Sequence, residues 1–149
     1  MRLRTLHEAG AVTDLVRRTR ALAPGSTGRW GRMTVDQMLW HLNQSVDASL
    51  GRLAVTPKPL GRARPIAKLV ALYGPWPKGR VPTLRELKAG AAHDLEVERE
   101  RLGRLLGEAA ARPLDGGWSD HGAFGPLAGR EWSRIHWRHV DYHLKQFGV

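Results

Sequence analysis

The chain contains no cysteine. Disulfides, thiolate metal ligands, iron–sulfur clusters and a cysteine nucleophile are excluded together. Long apolar runs are absent too. The longest near the middle, Ile66 to Tyr73, is interrupted by Lys68 and is far too short to span a bilayer. His7, Glu8 and Asp14 break up the first twenty residues, so no secretory signal pattern can be read there. The expectation is a soluble cytoplasmic protein without a membrane partner. No alternating strand pattern, internal repeat or low-complexity tract is evident. Acidic residues are missing from Arg52 to Pro82, where seven Lys and Arg residues stand. Much of the net charge of +10 therefore sits in one segment. Such a segment favours an anionic partner, or is a solvated connector.

With 149 residues, of which 42% are hydrophobic, the chain is long enough to bury a core as a single domain spanning 1–149. Four long helical segments can be read. The first runs from about Ala11 to Ala23 and stops at Pro24-Gly25. The second opens at Thr34, where Thr34 and Gln37 form a T-x-x-Q capping box, and closes at Gly51. The third runs from about Ala92 to Ala111, with Glu96, Glu98, Glu100, Arg99 and Arg101 expected on an exposed face. The last runs from about Arg130 to Phe147. Between the second and third, Gly51 to Pro82 holds six of the nine prolines. It predicts a long crossover with one short helix around Ile66–Tyr73. The fold class is all-α, a four-helix bundle with a long Pro/Gly-rich crossover between its second and third helices.

The histidines carry the chemistry. With Trp132 at zero and about 100° per residue, His136, His139 and His143 fall at about 40°, −20° and 20° on the last helix. Ile135, Val140 and Phe147 share that face, while Arg134 and Asp141 point the other way. Buried imidazoles need partners for their ring nitrogens, and a metal ion is one such partner. His139 and His143, at i and i+4, can converge on one ion. Hydrogen-bonded core histidines are the alternative. His41 is the natural third ligand, although it flanks the apolar stripe of its helix rather than centring it. His7 and His93 are expected to be solvated. His121 lies in a Gly-rich loop and is a further site candidate.

Three segments resemble a known family. Trp30-Gly31-Arg32-Met33-Thr34 with Gln37-Met38-Leu39-Trp40-His41-Leu42 is similar to the second-helix motif of the DinB/YfiT-like superfamily. His139-Val140-Asp141-Tyr142-His143-Leu144-Lys145-Gln146 resembles its last metal-binding helix, and His121-Gly122-Ala123-Phe124-Gly125-Pro126-Leu127 resembles a loop of one branch. The resemblance implies an up-down-down-up bundle with a divalent ion, often nickel or zinc, on His41, His139 and His143. It further implies a thiol-dependent transferase, or a related isomerase or hydrolase, using a low-molecular-weight thiol. It assigns no ligand role to His136, which lies about 10 Å along the helix from His143.

An open position on a three-histidine site suits catalysis and would favour a small anionic substrate. No nucleophile motif is present. His136, His121 and Tyr142 are the candidates for proton transfer. Two alternatives remain: a nucleic-acid-binding protein using the basic 52–82 segment with Tyr73 and Trp76, and a metal-stabilised module without turnover. The six tryptophans are expected in the core, beside the site or on a homodimer face.

Overall fold

The computed structural model describes residues 3–149. Among them are five α-helices: α1 (Ala11–Thr19), α2 (Val35–Ser49), α3 (Arg64–Tyr73), α4 (Leu95–Ala111) and α5 (Gly129–Gln146). Short 3₁₀ turns stand at Gly61–Ala63 and Arg85–Leu87. No strand forms among the described residues; one isolated bridge pairs His121 with Gly125. The all-α class is therefore observed. Among the described residues no helix is long and apolar enough to cross a membrane.

α1, α2, α4 and α5 pack on one another around the main core. α2 packs on α4 and α5, and α1 packs on the same two helices. Leu15, Leu39, Leu42, Leu102, Leu106, Val140 and Leu144 meet at its centre with almost no exposure. α3 lies outside that core against α5. Leu72 enters a smaller apolar cluster there with Leu127, Trp132 and Ile135.

Local chemistry sets the helix ends. The Thr34 N–H donates to Gln37 Oε1 at 3.1 Å, and Gly51, at φ 81°, ends α2 in the left-handed region. α4 begins at Leu95 rather than Ala92. The Asp94 carboxylate accepts from the N–H groups of Glu96 and Val97 at 3.0 Å each and fixes the start. α1 ends at Thr19 rather than Ala23. Beyond it the chain tightens into i→i+3 turns, with Leu22 N–H on Thr19 O at 3.2 Å, and still buries Leu22. α3 begins two residues earlier than expected, with Pro65 in its first turn, where no N–H is required.

Three side chains expected at the surface are buried. Glu98 turns inward and receives Asn43 Nδ2 on its carboxylate at 2.7 Å. Asp141 accepts from Arg18 at 2.8 Å and from Lys145 at 2.7 Å. Arg134 is buried with its Nε donating to Leu72 O. The cause is the same for the α5 pair. α1, α2 and α3 all pack on α5, so a single apolar stripe underestimates how much of that helix is covered.

Candidate metal centre

α2 and α5 bring His41, His139 and His143 together. Each offers a ring nitrogen, and these nitrogens all lie within 4.8 Å of one another. The ring centroids are 4.9 Å apart for His41–His139, 5.1 Å for His41–His143 and 4.9 Å for His139–His143. His41 Nε2 faces His139 Nε2 at 2.9 Å.

The far sides of two rings are fixed. His41 Nδ1 lies 2.8 Å from Leu87 O, and a carbonyl can only accept. The proton therefore sits on Nδ1 and leaves Nε2 as a bare lone pair. His143 Nδ1 lies 2.7 Å from Gln146 Oε1, with the same consequence. Gln146 is oriented in turn, because its Nε2 donates to Trp30 O. Outer partners of this kind set tautomer and ring angle at metal sites. Gly31, at φ 79°, keeps the space open: a Cβ there would come within 2.7 Å of Gln146 Nε2.

Burial makes the three rings bases of the right form. His143 is pushed down to about 3, first by burial and then by the neighbouring His41. His139 is held well below the usual histidine range by burial and then by His41 and His143, and His41 is lowered by burial. All three are neutral at neutral pH. Three neutral imidazoles with converging ring nitrogens, two of them fixed as lone pairs, fit a divalent cation and leave one coordination position for another ligand.

Aromatic rings wall the cluster. Trp76 lies 5.8 Å from His139 and 5.4 Å from Tyr142 by ring centroid, and Tyr142 meets His143 edge-on at 5.1 Å. Two cations stack on aromatic rings here. Lys78 lies 5.0 Å over Trp30 and Arg138 lies 5.5 Å over Trp76. The surface hollows beside Glu86 and beside Arg104 are lined by none of the three histidines.

The remaining candidates lie outside the ligand group. The Tyr142 hydroxyl accepts from Trp30 Nε1 at 3.0 Å and from Gly79 N–H at 3.1 Å, and donates to Pro77 O at 3.2 Å. That fills its hydrogen-bonding capacity and pins the crossover to α5. His136 Nε2 meets Ser49 Oγ at 2.8 Å, and Ser49 Oγ donates to Val46 O at 2.7 Å. His136 thus donates from Nε2, stacked 5.1 Å from Trp132. Burial, with a smaller contribution from His121, brings it to about 3. His121 Nδ1 accepts from the N–H groups of Ala123 and Phe124 at 3.0 and 3.3 Å, which closes its own loop, and burial brings this ring to about 4.

His7 and His93 are not free in water as expected. His7 bonds Ser133 Oγ at 2.7 Å and Arg112 O at 2.9 Å. His93 stacks on Trp40 at 5.1 Å and is half-buried. Sequence reasoning also missed one support of the site and gave the other no role. Leu87 acts through its backbone carbonyl and leaves no signature. Gln146 leaves one, an i,i+3 spacing from His143.

The model of the family described as "Protein of unknown function (DUF1569)" matches residues 2–148. No curated protein and no solved structure matches the chain. With nearly its whole length covered by that family, the chain belongs to DUF1569.

Proposed function

We propose that the chain is a divalent-metal-dependent enzyme on a DinB/YfiT-like four-helix bundle, with His41, His139 and His143 as the ligands of a nickel or zinc ion. The observation that carries this reading is the convergence of three neutral imidazoles, two of them held by acceptors on their far nitrogens. A bound ion would supply Lewis acidity, lowering the pKa of a thiol or water in its open position. The reaction class this suits is transfer from a low-molecular-weight thiol, or a related isomerisation or hydrolysis.

The chain's own residues supply the rest. Leu87 O and Gln146 hold two rings in one tautomer. Trp76 and Tyr142 exclude water from the rings they cover. Lys78 and Arg138, stacked on Trp30 and Trp76, would favour a small anionic substrate. His136 and His121 each have one nitrogen committed and lie apart from the ligands, so a proton role for either would run through substrate or water.

Elemental analysis of untagged protein purified without chelators tests the reading. Near-stoichiometric nickel or zinc, lost in His139→Ala and His143→Ala, is expected. Metal-free protein whose melting temperature ignores added Ni²⁺ and Zn²⁺ would refute it. Enzyme and inert module are then separated by a thiol-conjugation screen on metal-loaded protein, with His41→Ala as control. The nucleic-acid alternative has less support, because Trp76 is packed against His139 and Tyr142 rather than free to stack on bases.

A further inference from the structure

α3 is apolar on two sides. Its inner side buries Ala71 and Leu72 against the bundle. Lys68 is tied to Glu131 at 2.9 Å, and Leu72 O is held by Arg134. The helix is therefore seated and cannot turn its outer side inward. Yet that outer side carries Ile66, Leu69, Val70 and Tyr73, exposed by 68%, 60%, 41% and 53%. They stand at i, i+3, i+4 and i+7, a continuous stripe on one face of a helix about 15 Å long. Four large apolar side chains in one row on a surface mark a contact site, unlike scattered exposed leucines.

The surroundings say what kind of contact. Arg62 and Arg64 are exposed at the start of the stripe, and Arg80 is exposed beyond its end. No acidic residue lies between Arg52 and Pro82. The occupant must thus be apolar at the centre and anionic around it. A second copy of the chain fails the second condition. It would set one basic segment against another in a protein of net charge +10. A protein partner would need an acidic groove shaped to a convex, one-helix ridge. A bilayer with anionic headgroups meets both conditions with no shape requirement.

We propose that α3 is a docking helix for anionic lipid surfaces. Ile66, Leu69, Val70 and Tyr73 enter the boundary between headgroups and acyl chains, and the flanking arginines meet lipid phosphates. The helix lies in the interface rather than spanning it. This surface assignment does not depend on the metal centre.

The test is co-sedimentation of the full untagged chain with vesicles of phosphatidylcholine alone or mixed with phosphatidylglycerol. Binding to the mixed vesicles at low salt is expected, with little to phosphatidylcholine alone. Leu69→Glu should weaken it about tenfold or more, by placing a carboxylate among apolar and anionic groups. Arg62→Ala with Arg64→Ala should weaken it too. Position 69 is exposed, so an unchanged melting temperature of Leu69→Glu verifies the fold. Three results would overturn the assignment. One is no binding to phosphatidylglycerol vesicles at low salt. Another is full binding by Leu69→Glu, which would leave only general charge attraction. The third is a dimer in sedimentation equilibrium that Leu69→Glu dissociates, which would give the face to a second copy.

Discussion

His41 Nε2 and His139 Nε2 face each other at 2.9 Å, across 98 positions of sequence. Leu87 O already takes the Nδ1 proton of His41, so this ring has no hydrogen to offer His139. Without an ion, His139 Nε2–H is the donor to His41 Nε2; a cation would replace that hydrogen bond, with the His139 proton moved to Nδ1. The His139→Ala variant is expected to lose all bound metal and to show no rise in melting temperature on adding Ni²⁺ or Zn²⁺. Wild type should rise by several degrees, which thermal melts with and without metal will measure.

Gln146 acts on the site without touching the ion. Gln146→Leu removes the acceptor of His143 Nδ1–H and the donor to Trp30 O together. Metal affinity should fall by about 10- to 100-fold, with the fold retained. Gly31→Ala should act the same way, since its Cβ would press on Gln146 Nε2 from 2.7 Å at a left-handed φ. Competition with a chromogenic chelator measures both. Unchanged affinity in Gln146→Leu would show that packing alone orients His143.

Tyr142→Phe separates the wall from its anchor. The ring stays against His143, while three hydrogen bonds to Trp30, Pro77 and Gly79 disappear. Metal stoichiometry should hold, and limited proteolysis near Lys78 and Arg80 should speed up. If metal is lost instead, Tyr142 matters to the ligands themselves.

Acid should destabilise the metal-free protein over a defined range. Burial takes His136 to about 3 and His121 to about 4, from 6.5 in a solvated histidine. Their neutral forms are native. Stability is therefore complete above pH 6.5 and is lost as pH falls from there toward 4, where the unfolded chain takes up protons that the folded chain refuses. Each such histidine adds about 1.4 kcal/mol per pH unit to the slope in that range. Chemical denaturation of chelated protein at several pH values checks this, and His136→Gln should flatten the curve.

Leu106→Ala is expected to cost about 2–5 kcal/mol, since the side chain is fully buried where the long helices meet. Folded Leu106→Ala should still take up a full equivalent of metal. Urea unfolding and elemental analysis together separate core loss from site loss.

The sequence made some of this legible and hid the rest for identifiable reasons. Helical spacing on α5 puts His139 and His143 on its apolar face, and the structure brings both to the cluster. The capping pair Thr34 and Gln37 marks the start of α2. His41 is not visible on its own wheel, because what buries it comes from elsewhere: α5 and the Leu87 turn. Glu98 and Asp141 look like surface residues by charge, yet Asn43 and Arg18 receive them inside. Periodicity describes one helix at a time, whereas burial is decided by how many neighbours reach it.

Because its ligands lie so far apart in sequence, a metal here would also be a cross-link. Holding α2 to α5 closes a loop that contains α3, the whole crossover and α4. Unlike a disulfide, the ion would leave when its ligands separate, so it would stabilise by binding the folded chain alone, in a protein with no cysteine to form a permanent cross-link. The ion would then serve as a reversible clasp, and chelation would lower the stability of the whole fold as well as free the histidines.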